Sequence, residues 1–163
     1  MLKTPAKRVK EITPEILRLL DDMLETMYEA RGIGLAAPQV GVGLRIIVVH
    51  LWDEAHPPDP TGAIRLINPS LAKVAGEDVD SEACLSLPGI VVSTKRFRQV
   101  VVKGLNEKGR RVTIEAEGYF ARVFQHEIDH LNGTLIVHRA IPGSIRKVER
   151  PKEIPPEEAQ PQE

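Results

Sequence analysis

Between Phe124 and Gly133 the chain reads "FQHEIDHLNG", and within it His126, Glu127 and His130 are spaced H-E-x-x-H. On a helix, positions i and i+4 share a face, so both imidazoles reach one metal ion and the glutamate sits beside it as a candidate base. Val123, Phe124, Ile128 and Leu131 interleave with them, so the helix has no fully wetted side, and charged groups held in such a place need a partner. Two histidines leave a metal site incomplete. One protease pattern ends in a third histidine three residues past its glycine; Gly133 fits, but the last position holds Ile136 and His138 stands two residues late. A second takes a downstream glutamate, for which Glu149 is the candidate. The chain's one cysteine, Cys84 in "DSEACLSLPG", offers a thiolate, and a Cys/His2 set leaves a fourth position for water. Glu82 and Asp129 are candidates to orient these ligands or to form ion pairs.

The bulk of the chain bounds what such a site serves. Its 163 residues suffice for one domain with a real core. At 42% hydrophobic, 28% charged and net charge -1, nothing points to a nucleic acid or a membrane surface as partner. No apolar run approaches the roughly 20 residues that span a bilayer. "MLKTPAKRVKEITPE" lacks the apolar centre of a signal peptide. One cysteine allows no intrachain disulfide, which fits a reducing cytoplasm.

Several elements must position these residues. "ITPEILRLLDDMLETMYEARGIG" is predicted as a helix with Thr13 as N-cap and Pro14 in its first turn. Ile16, Leu19, Leu20, Met23, Leu24 and Met27 form its apolar stripe, and Gly32 and Gly34 stop it. Leu44 to Trp52 reads as a buried strand. "AIRLINPSLAKV" resumes strand character, broken at Asn68-Pro69. "RQVVVKGL" and "RRVTIEAEG" flank a hairpin turn at Lys108-Gly109. Tyr119 to Leu131 is the histidine-bearing helix, ended by Asn132-Gly133, and "TLIVHR" reads as a last short strand. His50 is expected to be a hydrogen-bonded strand residue and His56 a solvated loop residue. Helix, strands, helix and short strand in that order imply α+β, with mainly antiparallel sheets packed around the H-E-x-x-H helix. The catalytic domain is expected to span 1–142. Residues 143–163, rich in proline and charge, read as a flexible tail.

Three separated segments resemble those of peptide deformylases: "GIGLAAPQ" (Gly32 to Gln39), "EACLS" (Glu82 to Ser86) and "QHEIDHL" (Gln125 to Leu131). The second departs at Ala83, where the family usually has glycine. The resemblance covers most of Lys10 to Ala140. It implies a hydrolase that removes the formyl group from the N-terminal formylmethionine of new polypeptides. By that likeness Cys84, His126 and His130 hold the metal and Glu127 is general base and acid. The Gln39 amide and the Leu85 N–H stabilise the oxyanion. Ile33 and Gly34 bind peptide main chain, Val123 and His126 line a methionine pocket, and Arg96 contacts substrate. The metal is expected to be Fe2+ in the cell, with Zn2+, Ni2+ or Co2+ also fitting. Such an enzyme works in the cytoplasm near the ribosome, but the acidic, proline-rich tail shows no docking helix.

Overall fold

A computed structural model describes residues 3–53, 55–84 and 86–148. Helix α1 (Pro14–Glu29) starts as the sequence predicts, with Thr13 extended and its hydroxyl accepting the Ile16 N–H at 3.3 Å. Its end differs from expectation. Arg31, not a glycine, takes the left-handed conformation (φ 58°), and the N–H groups of Arg31 and Gly32 close on the carbonyls of Tyr28 and Met27.

Five strands then form one antiparallel sheet: β1 (Gly34–Ala36), β2 (Ile46–Val49), β3 (Ile64–Ala75), β6 (Gln99–Leu105) and β7 (Arg111–Glu117), in the spatial order β1-β2-β3-β6-β7. A second, three-stranded antiparallel sheet has β4 (Asp78–Cys84), β5 (Leu87–Arg96) and β8 (Arg146–Lys147), in that order. The β4–β5 hairpin has no counterpart in the predicted elements. Strand β8 lies within the segment expected to be tail, where Lys147 and Arg146 pair with Ile90 and Val91.

Strand β2 is fully buried because the large sheet is covered on both faces. Ile46 and Val48 join Leu20, Met23, Leu24 and Met27 of α1 in one core. Ile47 and Val49 join Phe124, Ile128 and Leu131 of helix α2 (Gly118–Leu131) in the other. Strand alternation thus divides a continuous apolar run between two helices. Helix α2 lies against the opposite face of the large sheet from α1, and its polar face meets the small sheet.

Two local readings change. The strand expected to break at Asn68-Pro69 continues as β3 with a register shift there. Asn68 has φ 54°, and its side chain exchanges two hydrogen bonds with the Val9 main chain. "TLIVHR" is not a strand. Ile136–Arg139 forms the short helix α3, which buries Ile136 against Cys84 and Val92 and sends Arg139 to Asp129. The β-branched pair Ile136-Val137 suggested a strand, but tertiary contacts decide such a short segment.

Candidate metal centre

Three elements converge on a cleft of about 380 Å³ whose lining includes Gly34, Gln39, Cys84, Val123, His126 and Glu127. Cys84 comes from the end of β4, the two histidines from α2. Their ligand atoms all lie within 4.8 Å of one another, and Cys84 Sγ is 3.2 Å from His130 Nε2. His138 is elsewhere, its Nδ1 accepting the Leu135 N–H. Glu149 and Leu85 lie outside the described residues.

Local electrostatics prepare these atoms for a cation. His126 Nδ1 is 3.0 Å from Glu82 Oε1, which leaves Nε2 turned to the cleft. Burial alone would push the Cys84 thiol up; hydrogen bonds and charge from His126 and His130 overcome this and bring its pKa down to about 5. Two buried side-chain polar atoms among the described residues have no hydrogen-bond partner, Glu127 Oε1 and His130 Nδ1, and both belong to this site. A soft thiolate, two imidazoles and an unpartnered carboxylate oxygen beside them fit a divalent ion with an open position.

The carboxylate of Glu127 is fully enclosed, and burial raises its pKa. It packs against the backbone of Gly34 so closely that a Cβ there would stand 2.6 Å from Oε2. The glycine in the first motif thus makes room for the glutamate of the third, besides leaving the main chain open to the cleft. Gln39 is held by its own oxygen, which accepts the Ala36 N–H at 2.9 Å, and its amide nitrogen points to Ser86 Oγ (2.9 Å) and Cys84 Sγ (3.6 Å).

Arg96 is not among the residues that line the cleft. It is 5% exposed, and its guanidinium is taken up by both oxygens of Glu82 and by Asp129. Ala83 does not have a positive φ, so its methyl group adds no backbone strain; it lines the cleft. Sequence reasoning missed the rest of the polar network. Arg122 reaches Glu82 Oε2 at 2.6 Å, the Thr94 hydroxyl donates to the same oxygen, and Asp129 pairs with Arg139 at 2.9 Å. The available signal was an arginine one turn before His126 on the same helix. His50 bonds Tyr28, and exposed His56 bonds Asp53.

Comparison with known proteins agrees with this geometry. Residues 1–146 match the polypeptide deformylase family. The peptide deformylase of Carboxydothermus hydrogenoformans is 51% identical over 140 residues, 86% of this chain and 87% of that one. The crystal structure of the Thermotoga maritima peptide deformylase superposes with a TM-score of 0.78 at 41% identity, covering 86% of this chain and 91% of that one. That of the Acinetobacter baumannii enzyme, with Met-Ala-Ser bound, gives 0.77 at 35% identity, covering 85% and 91%. The fold and a buried Cys/His2 centre define a metal-dependent amide hydrolase. The chain belongs to the polypeptide deformylase family, whose members remove the N-formyl group from nascent polypeptides.

Proposed function

We propose that Cys84, His126 and His130 hold the catalytic metal and that Glu127 is the general base and acid of the deformylation. The observation that carries this is Glu127 Oε1, buried without a hydrogen-bond partner among the described residues, on a side chain that lines the same cleft as Cys84 and His126. A divalent ion in this site supplies Lewis acidity that makes hydroxide available near neutral pH. Glu127 takes the proton of the attacking water and returns it to the departing amine. The Gln39 amide, oriented by the Ala36 N–H, donates to the developing oxyanion, together with the N–H of Leu85. Ile33 and Gly34 offer main-chain hydrogen bonds to the peptide, and Val123 with the His126 ring lines the methionine pocket. The half-buried Ile33 and the buried Val123 at the cleft support that assignment.

Fe2+ is the proposed cellular ion, with Zn2+, Ni2+ and Co2+ also compatible with a thiolate and two imidazoles. The proposed site of action is the cytoplasm. A lone cysteine used as a metal ligand suits reducing conditions, and no described helix is long and apolar enough to cross a membrane. Proximity to the ribosome follows from the substrate, a nascent chain.

Formate release from a formyl-Met peptide by anaerobically prepared protein tests the assignment. Cys84→Ser loses metal and activity together. Glu127→Ala keeps the metal and loses turnover by roughly 100-fold or more. A fully active Cys84→Ser variant would reject the ligand set.

A further inference from the structure

The chain has one tryptophan, Trp52. The sequence suggests that it ends a strand, but β2 stops at Val49 and Trp52 has left the ladder. Its indole turns back instead, and Nε1 donates to the carbonyl of Gly32 at 2.8 Å. Gly32, Ile33 and Gly34 form one rim of the cleft. The carbonyl of the next residue, Ile33, accepts the N–H of His50 at 2.8 Å. Two residues beyond β2 thus hold two successive carbonyls of the rim, one by main chain and one by side chain.

A third residue stiffens this arrangement. Tyr28, in the last turn of α1, meets Trp52 edge-on (centroids 6.3 Å apart, 72°) and His50 likewise (5.7 Å, 74°). Its hydroxyl is 2.6 Å from His50 Nδ1. Trp52 does not itself line the cleft, and the rim it holds is short. Gly34 is the first ladder residue of β1; before it lies the left-handed Arg31. Between these points the indole fixes the Gly32 carbonyl, whereas the metal ligands and Glu127 stand on other elements.

We infer that Trp52 is a positioning residue. Through Gly32 it sets the rim on which the peptide main chain rests, and so governs substrate binding rather than the chemical step. The inference rests on the proposed docking of substrate along Ile33 and Gly34.

The test uses the full-length, metal-loaded protein. Trp52→Phe keeps an aromatic ring and deletes the N–H. Steady-state formate release from formyl-Met-Ala-Ser then shows a KM higher by roughly three- to tenfold, the range of one lost hydrogen bond, with kcat unchanged. An unaltered KM overturns the inference, as does an equal fall in kcat. Emission of Trp52 in the unmodified protein gives a measurement that does not depend on the variant's folding. Saturating Met-Ala-Ser shifts or quenches it, and a silent indole counts against the brace. Absence of formate release from the unmodified protein rejects the deformylase assignment instead, and the emission titration still reads the rim.

Discussion

At the scale of single residues, the tightest constraint in the site is the contact between Gly34 and Glu127. A methyl group at position 34 would meet Oε2 at 2.6 Å, with Cγ and Cδ at 3.0 and 3.1 Å. The carboxylate must move, because the backbone of β1 is pinned by its pairing with β2. Displacement of a catalytic group by about an ångström costs on the order of 100-fold in rate. Gly34→Ala is therefore expected to fold, bind metal and lose kcat by about that factor in the formate assay. Glu82 sets a second constraint. Burial alone would raise its pKa, but hydrogen bonds from Arg96, His126 and Thr94 hold it well below the usual carboxylate range. Its stabilising effect is complete above its ordinary value of 4.5 and is lost as pH falls toward the folded value, since only the unfolded chain takes up the proton. In metal-free protein, Glu82→Gln should lower stability by about 3 kcal/mol at neutral pH. Urea titrations from about pH 5 downward should also show a flatter pH dependence than in the unmodified chain.

Elements were legible in proportion to how ordinary their inward faces are. Helix α1 could be read from Thr13 to Met27 because its buried residues are apolar at helical spacing. Its cap is correspondingly simple, and Thr13→Ala is expected to cost about 1 kcal/mol in urea unfolding. Strand β4 was not legible. It buries Glu82 and Cys84 while Ser81 and Ala83 face outward, so the chemistry occupies the positions where an alternating pattern would show hydrophobic residues. The same inversion hid the ion pairs that Arg122 and Arg96 make with Glu82; the expectation that Arg96 contacts substrate came from the family likeness. Both are buried arginines whose partner, Glu82, becomes a neighbour only in the folded chain, of Arg96 through the β4–β5 pairing and of Arg122 through the packing of α2 on β4. The two proposed histidine ligands were readable because H-E-x-x-H is local to one helix turn. The proposed third ligand, Cys84, was a candidate by its thiolate chemistry, not by spacing, and the family likeness singled it out. The turn at Arg31 and the path of Trp52 could not be foreseen, since each depends on tertiary contacts that override local preference.

For the whole molecule, the decisive feature is that, among the described residues, the two sheets share no strand. Large-sheet strands are sealed between α1 and α2 by extensive apolar cores. Among the described residues the small sheet has a minor one, where Cys84, Val92 and Ile136 meet. What fastens it to α2 is largely polar: Glu82 with Arg122 and His126, Arg96 with Asp129, and the main chain of Phe97 with Gln125. The proposed metal centre straddles the same boundary, with the Cys84 thiol on one side and both imidazoles on the other. Such a seam opens at lower free energy than a packed apolar layer, because fewer apolar contacts must be broken. Amides of β4 and β5 should therefore exchange with deuterium before those of β2 and β3, and metal loading should slow the former selectively. A uniform change across all strands would count against the seam. An ion held at the proposed site would thus be a rivet as well as a reagent: its loss would loosen the half of the cleft that carries Cys84 and leave the half that carries Gln39 and Gly34 intact.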